Sequence, residues 1–456
     1  MPEQFESISP YSEEAVGSTA AMDDAAIERA LSDAERQAGR WAQSGFDERR
    51  ALLEAVAAQL DQRTDELAGL VTAEMGKLAA EARGEVEKCA WVCRYYAENA
   101  AGFLADEPVA SDARRSLVAY QPLGPVLAVM PWNFPLWQVF RFAAPAIAAG
   151  NVGLLKHASN VMLCGEAIED VFRRAGAARG LFTNLAIRSD KVAGLIADPR
   201  VRAVTLTGSE PAGRKVAAQA GDKLKKSVLE LGGSDPFIVL DDADLALAVD
   251  KGIQSRFMNA GQSCIAAKRF VVVDAVLDEF QSRLVDAASK LKVGDPSDPA
   301  STLAPMARAD LRSELHEQVV DAVDAGAQLL CGGKPVEGRG WFYPATVLTG
   351  VEQGMRAYSE ELFGPVATVM RADDERHAIQ LANDTGFGLG GSVWTKDRDR
   401  GLEVARRLEC GCAFVNELVK SDPRLPFGGI KHSGYGRELS RQGIREFVNT
   451  KSIWIE

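Results

Sequence analysis

Hydrophobic residues in the first hundred positions recur at the spacing of a helix. Between residues 47 and 60 the apolar side chains fall three and four residues apart, at Leu52, Leu53, Val56 and Leu60. A similar stripe follows between residues 65 and 77. The pattern predicts a layer of packed helices in which no chemistry is visible.

From about residue 116 the pattern changes to short apolar runs that are rich in β-branched residues and interrupted by glycine and proline. The first alternating series has predicted strands at 150–157, 203–207 and 228–231 and predicted helices at 164–176 and 210–220. A second series follows between residues 237 and 408. Such alternation is typical of a parallel sheet covered by helices, so the predicted fold class is α/β, with two domains of this kind in succession.

The last predicted strand, 447–455, has no neighbouring strand in the sequence. A strand at the end of a chain must pair with another strand or remain an exposed edge. Two partners are open to it: a strand of another subunit, or a strand of the same chain.

The composition argues against several classes of protein, namely nucleic-acid-binding, membrane-spanning and secreted proteins. The 456 residues are 46% hydrophobic and 25% charged, which is typical of a globular protein of more than one domain. The net charge of −12 argues against nucleic acid as a main partner. No run approaches the ~20 apolar residues that cross a bilayer, and the acidic N-terminus lacks the features of a signal peptide. We therefore expect a cytoplasmic protein with neither a nucleic-acid nor a membrane partner.

The seven cysteines and four histidines are dispersed along the chain. It contains no CxxC pair, no cysteine cluster and no HExxH motif, which argues against a disulfide framework and against a metal site. Reduced thiols and no bound metal are the expectation.

Three segments contain residues suited to covalent catalysis. Cys264 follows the polar approach NAGQS, which permits a thiol exposed on a tight turn; an inert structural thiol is the alternative. Glu230 ends a predicted strand among apolar neighbours, which would raise its pKa and suit it to proton transfer; a solvated loop carboxylate is the alternative. Asn133, held between the two prolines of PWNFP, could donate to an oxyanion or could be only a turn residue.

Two further features follow predicted strands, where ligands of open α/β sheets bind. Gly208 and Gly213 lie between a strand and a helix, a turn that lets a phosphate approach the helix N-terminus, although this spacing alone is weak support. The ammonium group of Lys156 could contact a phosphate or a ribose, or it could be solvated.

The chain resembles the aldehyde dehydrogenase superfamily over nearly its whole length. The segments that carry the resemblance occur in this order: PWNFP, LLKHAS, TGSEPAG, LELGG, GQSC, EELFGPV and PFGGIKHSGYGRE. The spacings agree as well, with 23 residues from Asn133 to Lys156 and 34 from Glu230 to Cys264. The segments LLKHASN, LGGSDPFIV and PWNFPLWQVFR look more specifically like the succinate-semialdehyde dehydrogenase branch.

The resemblance implies an aldehyde-dehydrogenase-like fold and the oxidation of an aldehyde to an acid through a cysteine thiohemiacetal and a thioester. Cys264 would be the nucleophile, Asn133 and the Cys264 N–H would hold the oxyanion, and Glu230 would activate the hydrolytic water. A nicotinamide cofactor would take the hydride, so that neither a catalytic histidine nor a metal is needed. Glu438 matches a second acidic residue proposed to relay protons.

The resemblance also implies where the cofactor binds. The positions that match cofactor-binding residues are Trp132, Lys156, Ser159, Gly208, Ser209, Leu231, Glu361 and Phe363. Among these, Ser159 stands where many NAD-preferring relatives have a glutamate that binds the adenosine ribose and would repel a 2′-phosphate. We predict a preference for NADP, with NAD as a second cofactor.

Substrate choice rests on Arg141 and Ser421, which match residues that hold the far carboxylate of succinate semialdehyde. A guanidinium suits a carboxylate because it donates two parallel hydrogen bonds. The sequence departs from some relatives at Met258, where they carry a second arginine, and Arg256 lies two residues before that position.

The expected reaction is therefore the oxidation of succinate semialdehyde to succinate. Within the superfamily the alternative is a broad-range or glutarate-semialdehyde dehydrogenase. A CoA-acylating enzyme is disfavoured because Glu230 is present. From other classes, the alternatives are a cofactor-independent cysteine hydrolase and a non-catalytic protein on the same scaffold.

The predicted cofactor-binding domain comprises residues 1–103 and 123–231, and the predicted catalytic domain comprises residues 232–432. Residues 104–122 and 433–456 are expected to bridge subunits. The resemblance implies a homodimer or a homotetramer.

Overall fold

The computed structural model describes residues 4–456, which form eighteen β-strands and fifteen α-helices. The strands are β1 (Gln4–Ile8), β2 (Ala15–Ala20), β3 (Glu107–Val109), β4 (Arg115–Pro122), β5 (Pro125–Val129), β6 (Val152–Lys156), β7 (Phe182–Asn184), β8 (Ala203–Thr207), β9 (Lys226–Glu230), β10 (Asp235–Val239), β11 (Ala267–Val273), β12 (Gln328–Cys331), β13 (Thr346–Thr349), β14 (Val366–Ala372), β15 (Gly390–Trp394), β16 (Cys412–Val415), β17 (Gly434–Tyr435) and β18 (Val448–Ile455). The helices are α1 (Asp24–Trp41), α2 (Phe46–Gln62), α3 (Thr64–Met75), α4 (Ala79–Phe103), α5 (Trp137–Ala148), α6 (Met162–Arg174), α7 (Val192–Ala197), α8 (Glu210–Asp222), α9 (Leu245–Phe257), α10 (Leu277–Ala288), α11 (Ala309–Asp324), α12 (Arg356–Ser359), α13 (Glu375–Asn383), α14 (Arg398–Arg407) and α15 (Ser440–Ile444).

Helices α1–α4 form the layer that the N-terminal stripe predicts. The predicted apolar positions of α2 are all buried: Leu52, Leu53, Val56 and Leu60. They face α4, against which α2 packs closely. Each such side chain contributes about 1.5–3 kcal/mol when it leaves water, so this face holds α4 firmly in place beside the rest of the chain.

The first large sheet has the strand order β17-β9-β8-β5-β6-β7. All its pairings are parallel except that of β17 with β9. The strands of a parallel sheet end at one edge, and here Lys156 pairs with Val129 while Glu230 pairs with Thr207. The sheet therefore presents Lys156 and Glu230 at the same edge, where ligands of such sheets bind.

The second large sheet has the order β12-β13-β14-β11-β10-β15-β16, and only the β12–β13 pairing is antiparallel. Its five inner strands are buried almost throughout, and apolar clusters cover both of its faces. Buried parallel strands of this kind require helices on both sides. The prediction of two successive parallel α/β sheets is confirmed.

A smaller sheet contains the C-terminal strand. In its order β18-β4-β3, β18 pairs antiparallel with β4 over eight residues, from Val448 opposite Pro122 to Ile455 opposite Arg115. The C-terminal strand thus finds a partner within the chain, while its other edge pairs with no strand between residues 4 and 456. The short strand β17, which falls in the segment predicted to bridge subunits, pairs with β9 of the first sheet. The domain boundaries given above remain a prediction.

None of the helices between residues 4 and 456 combines the length and the apolar character that a bilayer span requires.

Candidate active site

A cavity of about 610 Å³ lies at the carboxyl edge of the first sheet, where segments that follow strands of the second sheet close over it. Eight of the predicted site residues line it: Trp132, Asn133, Gly208, Ser209, Leu231, Cys264, Glu361 and Phe363. Residues that lie more than 200 positions apart in the sequence therefore share one space. Glu230, Lys156, Ser159, Arg141 and Ser421 are not part of this lining and are described below.

A left-handed turn presents the nucleophile candidate. Asn259, Ala260 and Gly261 have φ angles of 57°, 53° and 70°, which lie in the left-handed region. This region costs Asn259 and Ala260 about 1–2 kcal/mol each, whereas glycine adopts it readily. Hydrogen bonds hold the turn, because Asn259 donates through Nδ2 to the carbonyl oxygens of Asn133 (2.8 Å) and Gln262 (3.0 Å). Gly261 admits no side chain, since an added Cβ would come within 2.3 Å of the Gly364 carbonyl oxygen. The polar segment NAGQS that precedes Cys264 in the sequence therefore contains this turn.

Only part of Cys264 reaches the cavity, and the surrounding protein sets its acidity. Burial raises the pKa of the Cys264 thiol to about 12, while the charges of Lys268 and Arg141 act in the opposite direction. The thiol is therefore protonated at neutral pH in the ligand-free protein. It needs a base to become a nucleophile.

Glu230 has the properties of such a base. It ends β9 with a side chain that is 1% exposed, and apart from the backbone N–H of Gly429 neither carboxyl oxygen has a hydrogen-bond partner among residues 4–456. Burial, and then the neighbouring Glu438, raises the pKa of Glu230 to about 8. A buried carboxyl group of this kind is not the solvated loop residue that the sequence left open. Its charge also acts on the pKa of Cys264, so the two groups lie within electrostatic range of each other.

The segment around Asn133 is held from two sides. Asn133 is 4% exposed and donates through Nδ2 to the carbonyl oxygen of Gln262 at 3.1 Å, which leaves its second amide N–H for a ligand. Behind it, Nε2 of His157 lies 2.9 Å from the Pro135 carbonyl oxygen while Nδ1 accepts from the Ala158 N–H at 2.9 Å. Burial lowers the pKa of His157 to about 4, so the ring stays neutral and acts only as a spacer. Asn133 is therefore a buried side chain held by a hydrogen bond, and its role as an oxyanion donor remains a prediction.

The sequence analysis missed Lys268. Its ammonium group, 1% exposed, donates to the carbonyl oxygens of Ser263 and Cys264, each at 2.8 Å, and forms an ion pair with Glu361 at 2.9 Å. It thereby joins the nucleophile turn to the residue predicted to bind the nicotinamide ribose. The available signal was the pair of basic residues, Lys268 and Arg269, inside the otherwise apolar strand AKRFVVV, since a buried lysine is rare unless it is paired.

The edge of the first sheet fits a phosphorylated ligand. Lys156 is 7% exposed, burial lowers its pKa, and no carboxylate within the described residues pairs with it. Ser209 precedes α8 without capping it, so backbone N–H groups at that helix N-terminus remain available. An added Cβ at Gly208 would meet nothing closer than Leu206 at 3.6 Å, so the space beside it is open. Ser159 is exposed just beyond the end of β6.

Gly213 has a packing role instead. An added Cβ at Gly213 would approach Leu231 to 2.6 Å, so glycine lets α8 lie close to the segment that follows β9.

Neither predicted substrate residue lines the cavity, but Arg141 Nη2 lies 3.5 Å from Oγ1 of Thr207, which does. The Arg141 guanidinium forms a buried ion pair with Glu438 and lies 4.6 Å from the centroid of the Phe427 ring. Ser421 Oγ accepts a hydrogen bond of 3.0 Å from the indole N–H of Trp137, which begins α5. Arg256 is not part of the cavity lining, and its Nη2 donates to the backbone carbonyl of Gly261 at 2.6 Å. Arg256 thus fixes the nucleophile turn.

The chain is similar to several known proteins. A model of the aldehyde dehydrogenase family matches residues 1–453. The chain is 53% identical over 410 residues to a probable succinate-semialdehyde dehydrogenase (NADP+) of Synechocystis, with 90% of each chain covered. It is 49% identical over 451 residues to succinate-semialdehyde dehydrogenase (NADP+) 1 of Mycobacterium bovis, with 98% of this chain and 99% of the relative covered. The solved structure of succinic semialdehyde dehydrogenase from Streptococcus pyogenes in complex with NADP+ superposes with a TM-score of 0.97 at 41% identity over 99% of both chains.

Proposed function

Because this chain belongs to the aldehyde dehydrogenase family, we propose that it oxidises succinate semialdehyde to succinate with NADP as the hydride acceptor. The observation that carries the proposal is the convergence of Asn133 and Cys264 on one cavity, within electrostatic range of the buried carboxyl group of Glu230. Relatives named for this reaction and this cofactor align with nearly the whole chain, which supports the choice of substrate and cofactor.

In this proposal the protein supplies a nucleophile, a base and an oxyanion site. Glu230 accepts the thiol proton, and the Cys264 sulfur then bonds to the aldehyde carbon. The oxyanion accepts hydrogen bonds from the free N–H of the Asn133 amide and from the Cys264 backbone. The bound nicotinamide supplies the hydride acceptor. The thiol proton then passes from Glu230 to solvent, so that Glu230 can take a proton from the water that hydrolyses the Cys264 thioester. Transfer of that proton to the departing sulfur releases the acid and restores the thiol.

The preference for NADP rests on Lys156 and Ser159. An ammonium group without a carboxylate partner favours an anion, and a serine hydroxyl imposes no repulsion on a 2′-phosphate. Lys268 and Glu361, joined as an ion pair, would face the nicotinamide half of the cofactor. Trp132 and Phe363 meet edge to face at 5.8 Å and would form an apolar wall beside the ring.

A panel of aldehydes assayed with both cofactors tests the proposal. The reduced-nicotinamide absorbance should rise fastest with succinate semialdehyde and NADP. A preference for glutarate semialdehyde or for uncharged aldehydes would assign the chain to the alternative dehydrogenases, and product without any absorbance change would assign it to the hydrolases.

We also propose that the chain works as a homo-oligomer in a reducing compartment, the cytoplasm. The open edge of β18, beside the exposed Trp454 and Ile455, supports self-association. The free thiols of all seven cysteines support the compartment. Light scattering on the purified protein distinguishes a monomer from a dimer or a tetramer.

A further inference from the structure

A second polar cluster lies beside the catalytic groups, around Lys88 of α4. The Lys88 ammonium group donates to Ser421 Oγ at 3.0 Å and lies 4.2 Å from the centroid of the Trp137 ring. Trp137 donates through its indole N–H to the same Ser421 oxygen. These three residues, with Arg141 one turn after Trp137 on α5, are called the Lys88 cluster below.

The Lys88 cluster contains donors that lack acceptors. Ser421 Oγ accepts two hydrogen bonds, which use both of its lone pairs, so its own O–H must point to a third group. Lys88 has three N–H donors, and Ser421 is their only hydrogen-bond acceptor among residues 4–456. Two N–H groups of Lys88 and the O–H of Ser421 are therefore available to a ligand at one place.

The charges near Lys88 leave a positive excess. Glu85 is engaged by Lys77 and by the backbone N–H groups of Leu136 and Trp137. Asp422 is paired with Arg424. No acidic residue of the described chain lies within ion-pair distance of Lys88, although partly buried charges are normally paired. Burial and the nearby Arg141 charge lower the pKa of Lys88 to about 8, which a bound anion would reverse.

The cluster lies close to the reacting atoms. Trp137 follows Asn133 by four residues, and the positive charge of Arg141 acts on Lys88 and on the Cys264 thiol alike. Arg141 Nη2 also lies 3.5 Å from Oγ1 of Thr207, which lines the cavity with Cys264, so the cluster borders the space that a short aldehyde bonded to Cys264 would occupy. Arg141 is itself neutralised by Glu438, so the unpaired charge belongs to Lys88.

We propose that Lys88 is a specificity-determining residue, which binds the far carboxylate of the aldehyde substrate together with the Ser421 hydroxyl. This inference rests on the proposed function, because it presumes an aldehyde that carries a carboxylate. It adds a residue from the N-terminal helical layer to the site.

The test compares kcat and KM for succinate semialdehyde and for butanal, an uncharged aldehyde of the same chain length. Lys88→Met keeps the length of the side chain but removes its charge, and Lys88→Arg keeps the charge. Lys251→Met, which removes a lysine from α9, is the matched control. Lys88→Gln repeats the test if the methionine variant does not fold.

Lys88→Met should raise KM for succinate semialdehyde at least tenfold, because a hydrogen bond to a charged group is lost. Its kcat and its constants for butanal should stay within about twofold of wild type, since neither is affected by the lost carboxylate contact. Lys88→Arg should recover most of the discrimination, and Lys251→Met should match wild type. Inhibition by succinate should weaken in parallel.

Equal losses for both aldehydes, or an unchanged KM ratio, would overturn the role of Lys88. A wild-type enzyme that does not distinguish the two aldehydes would instead overturn the proposed function, because that result does not depend on any variant.

Discussion

Replacing Glu230 by glutamine tests whether this residue acts as the general base of the site. The substitution keeps the shape of a side chain that is 1% exposed and removes its ability to take a proton. Because a positioned general base contributes about 10²- to 10⁴-fold, we expect kcat to fall by that factor. With a pKa near 8, wild-type Glu230 is only about one-tenth ionised at pH 7, so its rate should rise roughly tenfold between pH 7 and pH 9. The residual rate of the variant should lack this rise.

The same substitution should change the way in which the free energy of unfolding depends on pH, and the direction of that change follows from the pKa of Glu230. The pKa of Glu230 is raised from 4.5 to about 8 on folding, so between these values the folded protein holds a proton that the unfolded chain has released. The stability associated with Glu230 is therefore complete below pH 4.5 and is lost as the pH rises through about 8. The slope for one group is at most about 1.4 kcal/mol per pH unit.

Glutamine does not titrate, so the free energy of unfolding of Glu230→Gln should not fall in this way as the pH rises. Urea unfolding at pH 5.5, 6.5 and 7.5 should show the variant gaining stability relative to wild type as the pH rises. Wild type and Glu438→Gln provide the comparison, since Glu438 helps to raise the Glu230 pKa and its neutralisation should lower that pKa. If the two unfolding free energies ran parallel with pH, or if the wild-type rate were flat from pH 7 to pH 9, the assignment of a buried base would be refuted.

Three other substitutions probe the cofactor, the substrate and the nucleophile. Ser159→Glu should lower kcat/KM for NADP at least tenfold and spare NAD, because it places a carboxylate against the 2′-phosphate; equal losses would count against the assignment. Arg141→Ala should raise KM for succinate semialdehyde by about 10- to 100-fold, the value of one charge-assisted hydrogen bond, and change KM for butanal little. A similar rise for butanal would indicate general disruption. Lys268→Met should slow alkylation of Cys264 by iodoacetamide at pH 8, since Lys268 lowers the pKa of that thiol, and an unchanged rate would contradict this link.

The sequence determined the features that depend on local order. Period-3.6 stripes marked α2, and alternating strands and helices marked both large sheets, because burial of one face is encoded in neighbouring residues. Two predicted strands end at Lys156 and at Glu230. These strand ends indicated the sheet edge at which both residues lie. The motifs and their order then identified the family.

The tertiary structure alone decided which distant groups meet. The hydrogen bond between Lys88 and Ser421 joins residues 333 positions apart, and the Arg141–Glu438 pair is similarly remote. Strand order, helix packing and the left-handed turn before Cys264 set these contacts, and none of them leaves a periodic signal in the chain. The same holds for the pKa of Glu230, which depends on complete burial, and for the partner of β18, which the sequence left open. A linear pattern encodes whether a side chain is buried, whereas its neighbours in space follow only from the folded arrangement.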